Sequence, residues 1–252
     1  MPMKKKRADV LLVERGLAES RAKAQAFILA GQVYVGQQKV AKAGDRLPPE
    51  AELSVRGQMP YVSRGGLKLE AALDALGVVS EGRVVADFGA STGGFTDCLL
   101  QRGAIRSYAI DVGYGQLHHK LRTDERVVVM ERVNARNLET GDLPEPVDLV
   151  VIDASFIGLE KLLPAAFALL GPGGEVLAMV KPQFQVGREK LGKGGVVRDD
   201  ALREEAIQDV ADAAIALGFE ELGRADAGVA GPKGNREVFL WLRRPPGEAA
   251  KP

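Results

Sequence analysis

Several short apolar runs in this chain each end on a residue able to hold charge or take a proton. Val84-Val85-Ala86-Asp87-Phe88 ends beside an acid and leads into Gly89-Ala90-Ser91-Thr92-Gly93-Gly94-Phe95-Thr96. Ser107–Asp111 ends on a second acid, and Val147–Ile152 is followed by Asp153. Glu175–Val180 is followed by Lys181, and Glu237 opens the late run Glu237–Leu242. Apolar runs of this length, separated by helical patterns, read as strands of a parallel sheet, and the carboxyl ends of such strands share one rim. An acid, a lysine and another acid can then line a single cleft. The glycine-rich turn lets a ligand approach the backbone closely. Two ligand classes compete for it. A dinucleotide needs Gly-x-Gly-x-x-Gly to seat a pyrophosphate, but Ser91 replaces the second glycine and Asp87 would repel the anion. S-adenosylmethionine carries a sulfonium and an amino group, which suit an acid, and Asp111 is placed to accept from ribose hydroxyls. The reading therefore favours S-adenosylmethionine.

The elements that must position these residues begin after Arg83. Helices are expected at Leu69–Leu76, Thr96–Arg102, Leu159–Leu170 and Ala201–Leu217, and strands at 84–88, 107–111, 127–130, 147–152, 175–181, 221–227 and 237–242. Alternation of this kind predicts an α/β doubly wound sheet of the Rossmann-like type. Ahead of it, Arg7–Gly16 and Ser20–Ala30 read as helices, Val33–Val35 with Val40 as a hairpin, Leu47-Pro48-Pro49 as a rigid loop and Glu52–Val55 as a strand, a small α+β module. The expected domains are 1–57, a linker at 58–68, a catalytic domain at 69–244, and a disordered tail at 245–252.

The 252 residues carry no net charge, yet residues 1–68 hold 13 Lys and Arg against 6 Asp and Glu, an excess of +7 that the remainder balances. A basic segment on an acidic body points to an anionic polymer or surface. Arg7, Arg21, Lys23, Lys39 and Arg64 are its candidate RNA contacts, joined by Arg188, Lys190 and Lys193 in the basic loop Gly187–Gly195. No apolar run approaches the ~20 residues of a membrane helix. No secretory signal is evident at the basic start, so a cytoplasmic protein is expected. Cys98, the only cysteine, reads as core, and His118-His119 as structural, which leaves little material for a histidine-rich metal site, and no metal is expected.

Five segments together resemble the TlyA family of ribosomal RNA 2′-O-methyltransferases, whose catalytic domain is FtsJ-like: Ser63–Leu69, Asp87–Thr96, Asp153–Ile157, Lys181–Phe184 and Gly234–Glu237. The resemblance runs from Arg7 to about Leu242, and its first module is similar to the alpha-L RNA-binding fold of a small-subunit ribosomal protein. It implies transfer of a methyl group from S-adenosylmethionine to the ribose 2′-hydroxyl of cytidine in ribosomal RNA. It also implies a catalytic tetrad matched by Lys68, Asp153, Lys181 and Glu237. Cofactor contacts are expected at Asp87, Gly89, Ser91, Thr92, Gly93, Gly94, Phe95, Thr96, Asp111, Val112, Asn134 and Asp153. Ribosomal subunits are the expected partners, with a monomer as the default state. The chain departs from the family at Tyr61, where better-known members carry a tryptophan in the linker. The family's other label, haemolysin, finds no membrane span here. A lysine can take the hydroxyl proton only when neutral, which burial or a nearby cation favours, and Lys181 is the residue expected to deprotonate or orient the hydroxyl. Two other classes remain: a non-catalytic RNA-binding or ribosome-assembly factor that keeps the fold, and an NAD-dependent oxidoreductase.

Overall fold

The computed structural model describes residues 5–57, 59–186, 196–229 and 234–247. The chain divides into two compact units, Met1–Met59 and Pro60–Pro252.

In the first unit, β1 (Lys6–Arg7) leads into α1 (Ala8–Glu14), followed by α2 (Arg21–Leu29), β2 (Val33–Val35), β3 (Gln38–Lys39), β4 (Arg46–Leu47) and β5 (Leu53–Val55). Ser20 caps α2 as its sequence position predicts: the hydroxyl accepts from Lys23 N at 3.2 Å. The order β3-β2-β5 makes one small sheet, and β1 pairs with β4. Leu47, expected in a rigid loop, is therefore a strand residue, opposite Lys6. Ala8, Leu11, Leu12, Ala24, Ile28 and Val33 close a core under the two helices.

The second unit opens with α3 (Arg64–Leu76), β6 (Val84–Phe88), α4 (Gly94–Gln101), β7 (Arg106–Asp111), α5 (His119–Arg122) and β8 (Val127–Glu131). It continues with β9 (Val147–Ile152), α6 (Leu163–Leu169), β10 (Leu170–Val180), α7 (Pro182–Gln185), α8 (Asp200–Ala216), β11 (Glu220–Asp226) and β12 (Val238–Arg243). The seven strands lie in the order β11-β12-β10-β9-β6-β7-β8. β6 pairs in parallel with both β7 and β9, whereas β12 is antiparallel to β10 and β11. The chain runs outward from β6 to β8, then returns to place β9 on the other side of β6. This switch point lies where α/β sheets open a crevice for ligands. Alternation along β6 sends Val84, Ala86 and Phe88 into the core under α6 and α8, and Val85 into the core under α3 and α4.

Two further sequence expectations are corrected. Helix α3 begins at Arg64, so the second half of the expected linker is helical. Gly65 and Gly66 disfavour a helix locally, but a Cβ at Gly66 would lie 2.4 Å from the buried Tyr61 ring, and that packing decides the outcome. The helix expected over 159–170 is a 3₁₀ turn, Leu159–Lys161, followed by α6. Pro172 disfavours helix at Gly171, and β10 takes over from Leu170. Of the expected tail, residues 245–247 form no element, and 248–252 lie outside the described residues.

Candidate active site

The crevice forms where β6 and β9 end. Gly89 has φ +86, and a Cβ there would stand 2.8 Å from the Asp153 carbonyl oxygen. Asp153 N in turn donates to the Phe88 carbonyl at 3.0 Å. Glycine thus lets the first loop lie against the end of β9. At Gly94 a Cβ would stand 2.2 Å from Ser63 Oγ, so the start of α4 also touches the segment that leads into α3.

Two cavities share Gly89, Ser91 and Asp153 as walls. One, of about 510 Å³, has apolar walls at Ile110, Val112, Val133, Ala135, Ile157 and Leu162, with Asp111 and Asn134 as polar members. Asp111 accepts from Ser91 N at 2.8 Å and from Gly113 N at 2.6 Å, which fixes its carboxylate at the mouth and leaves each oxygen a further lone pair. The other, of about 500 Å³, is lined by Ser63, Arg64, Lys68, Asp87, Thr92, Gly94 and Phe95 among others.

Asp87 tests whether the second cavity suits a cation. Its side chain is fully buried, and one oxygen accepts from Thr96 N at 3.0 Å and Thr96 Oγ1 at 2.8 Å. The other oxygen, Oδ1, has no partner. Burial pushes the carboxyl up to about 7; the Thr96 hydrogen bonds oppose this and the nearby Asp153 charge adds to it. A buried, unpartnered carboxylate oxygen beside a polar cavity calls for a cation or a donor. An amino-acid ammonium fits there, and an apolar cavity with Asp111 at its mouth fits a nucleoside. The residues present thus fit S-adenosylmethionine. Not every expected contact position lines a cavity. Thr96 is fully buried behind Asp87 and lines neither cavity; it fixes the acid instead. Gly93 also stands outside both, against Leu117 and Leu121. Val112, Asn134, Ser91, Thr92, Gly94 and Phe95 do line the cavities.

Lys68, Asp153, Lys181 and Glu237 meet at the same rim as two ion pairs. Lys68 Nζ donates to Glu237 Oε2 at 2.5 Å, with both residues buried. Lys181 is ion-paired with Asp153 and donates to Ser155 Oγ at 3.0 Å. Sheet register accounts for the meeting. Val180 pairs with Val238 in the antiparallel ladder, which sets Lys181 beside Glu237. Ala178 pairs with Ile152, which brings Asp153 to the same end. Lys68 arrives from α3 and shares the 500 Å³ cavity with Asp153.

Sequence reasoning missed two features. Ser155 holds the Lys181 amine, and a serine between two motif residues gives no signal of that. Phe156 sits in the left-handed region at φ +66, is 90% exposed and lies against Phe184 with ring centroids 5.0 Å apart. Both aromatics lie in motifs whose acid and lysine carry the chemical signal. An exposed aromatic held in a strained backbone conformation marks a candidate contact surface.

Among the expected RNA contacts, Arg64 lines the cavity and is exposed. Arg7 and Arg21 are engaged with the buried Asp9, at 3.0 and 3.1 Å, and Gln25 also donates to it at 2.9 Å. Hydrogen bonding from Arg7, with help from Gln25 and Arg21, holds that carboxyl well below its usual range despite burial. These arginines therefore support the module's interior as well as its surface charge. Lys23 lies over the Phe27 ring and Lys39 is exposed on β3. Arg188, Lys190 and Lys193 lie outside the described residues. Cys98 is buried core, and burial pushes its thiol up to about 12. His118 caps α5 by accepting from Lys120 N.

Comparison with known proteins adds independent findings. The family model for FtsJ-like methyltransferases matches residues 61–244, and that for the S4 domain matches residues 6–53. The 16S/23S rRNA (cytidine-2′-O)-methyltransferase TlyA of Mycobacterium tuberculosis is 45% identical over 94% of this chain and 89% of its own length. Hemolysin A of Brachyspira hyodysenteriae is 40% identical over 92% of this chain and 98% of its own. A solved structure from Streptococcus thermophilus, provisionally described as a hemolysin, matches with a TM-score of 0.73 at 41% identity, covering 96% of this chain and 90% of that one.

Proposed function

The chain belongs to the FtsJ-like methyltransferase family and carries an S4 domain ahead of the catalytic unit, and on that premise we propose that it methylates the ribose 2′-hydroxyl of cytidine in ribosomal RNA, with S-adenosylmethionine as methyl donor. One observation carries the reading: the pairs Lys68–Glu237 and Lys181–Asp153 converge beside a cavity that presents the unpartnered Asp87 Oδ1. The same buried acid opposes a dinucleotide pyrophosphate at this turn.

Bound S-adenosylmethionine supplies an activated methyl group, so the protein's task is to align the hydroxyl and relieve it of its proton. Asp87 receives the cofactor's ammonium, and Asp111 its ribose. Asn134, Val112, Gly89, Ser91, Thr92 and Gly94 shape the walls around it. Lys181 Nζ faces the 2′-hydroxyl, with Asp153 and Ser155 fixing the amine; once the ammonium has released a proton to solvent, the neutral amine takes the hydroxyl proton. Lys68 and Glu237 hold the neighbouring wall as an ion pair balanced within itself. The exposed Phe156 ring and the half-buried Phe184 ring against it offer a stacking surface for a base, a contact worth ~1–3 kcal/mol. The S4 domain, within the segment of excess +7, binds the RNA by displacing counterions from its phosphates. No helix among the described residues is long and apolar enough to cross a membrane, in keeping with action on ribosomal RNA in the cytoplasm.

The test is tritiated-methyl incorporation into rRNA under single-turnover conditions, with cofactor affinity measured separately. Lys181→Ala should lower the rate ~10²–10⁴-fold, the range of general-base catalysis, and leave the cofactor bound. Lys181→Arg should not rescue it, because a guanidinium stays charged. A wild-type rate for Ala removes Lys181 from the reaction, and a wild-type rate for Arg removes its role as proton acceptor.

A further inference from the structure

A further hollow of about 640 Å³ lies between the 3₁₀ turn Leu159–Lys161, α7 and α8. Phe156 and Ile157 line both this hollow and the 510 Å³ cavity, so the two share a wall. The hollow combines two aromatic rings, Phe156 and Phe184, with four charged side chains, Arg136, Lys161, Glu160 and Asp209. Arg136 Nε donates to the Asn137 side chain at 3.2 Å. None of the four charged groups takes part in an ion pair among the described residues. Some surface charges of this unit are paired, as in Arg106–Glu145, Arg122–Glu131 and Arg243–Glu220. Here four charged groups without ion partners gather around one aromatic hollow.

We propose that this hollow is a subsite for a nucleotide flanking the methylated one in the RNA chain. The inference rests on the ribose-methylation reading above and adds a second point of contact to it. A planar base lies against the aromatic rings. A phosphate meets Arg136 and Lys161, whose donors are otherwise available. Glu160 and Asp209 accept from amino or hydroxyl groups, the donors a nucleotide carries and a plain anion lacks. Two charges of each sign leave the hollow neutral overall, which favours a ligand with both donors and acceptors over a simple anion. Phe156 borders the cofactor cavity, so a chain whose ribose reaches Lys181 has its neighbouring nucleotide at this wall.

The experiment compares the full-length protein with the double variant Arg136→Ala/Lys161→Ala, both sites being exposed and outside the catalytic cluster. Three quantities are read: KM and kcat for rRNA methylation, the salt dependence of rRNA binding, and calorimetric affinity for S-adenosylhomocysteine. The subsite predicts KM raised about tenfold or more with kcat nearly unchanged, as loss of phosphate contacts does. The log–log salt slope should fall by ~0.7, the value for one phosphate on a single strand, with cofactor affinity unaltered. Unchanged KM and slope overturn the subsite. A parallel fall in kcat and cofactor affinity also overturns it, because these residues would then only shape the neighbouring cavity. If the wild type transfers no methyl group but the variant still shows the weaker, flatter RNA binding, the subsite stands and the methylation reading falls.

Discussion

Asp87 makes cofactor binding depend on pH in a way that can be worked from its surroundings. Burial raises the carboxyl to about 7 from an ordinary 3.8. Its free oxygen accepts a cofactor ammonium well only when ionised. The dissociation constant should then scale as one plus the ratio of protonated to ionised acid, ~11 at pH 6 and ~1.1 at pH 8, a tenfold gain in affinity. S-adenosylhomocysteine is the probe, since its amine has no neighbouring sulfonium charge. Calorimetry at pH 6, 7 and 8 reads the affinity. At pH 6, two buffers of different ionisation enthalpy should reveal release of ~0.9 proton on binding. Asp87→Asn keeps an acceptor for Thr96 but cannot ionise, so its affinity should be weaker and flat across this window. The sign for stability without cofactor is opposite. The native acid holds its proton above the unfolded value, so stability falls as pH rises from ~4 to ~7, by up to ~4 kcal/mol, and this slope disappears in the Asn variant. A wild-type affinity that is flat from pH 6 to 8, or an Asn variant with the same slope, refutes the assignment of Asp87 to the ammonium.

Lys68→Met leaves the buried Glu237 charge without its partner and should cost ~3–5 kcal/mol in chemical denaturation, while Lys68→Met/Glu237→Gln recovers most of that; a single-variant cost under 1 kcal/mol would show that the pair is not buried in solution. Phe156→Gly relieves the left-handed backbone and removes a ring that is 90% exposed. It should therefore raise stability by ~1 kcal/mol while raising KM for rRNA; a lower Tm would contradict the strain.

The strand ends were legible because short apolar runs are bounded by polar residues. Val84–Phe88 and Val147–Ile152 appear in the structure with the limits their sequence suggests. Since strand ends share a rim, the meeting of Asp153, Lys181 and Glu237 followed from topology rather than from any local pattern. Lys68 was legible only as part of the family resemblance, because its glycine neighbours hid the helix that carries it. What stayed hidden depends on contacts distant in sequence. Gly66 is helical because Tyr61 packs on it. Arg7 and Arg21 converge on Asp9, from 2 and 12 residues away, and read in sequence simply as basic surface. Thr96 shares a motif with cofactor-lining residues but faces Asp87, an orientation set by the first turn of α4.

The most direct measurement is the chemical position of the transferred methyl group. Unmethylated rRNA is incubated with the protein and isotopically labelled S-adenosylmethionine, digested to nucleosides and analysed by mass spectrometry, with the site mapped by resistance of 2′-O-methylated linkages to alkaline cleavage. Label should appear as 2′-O-methylcytidine at discrete positions, and Lys181→Ala should abolish it while still binding the cofactor. Label carried on a base, or no transfer to rRNA by a protein that binds S-adenosylmethionine, would contradict ribose methylation.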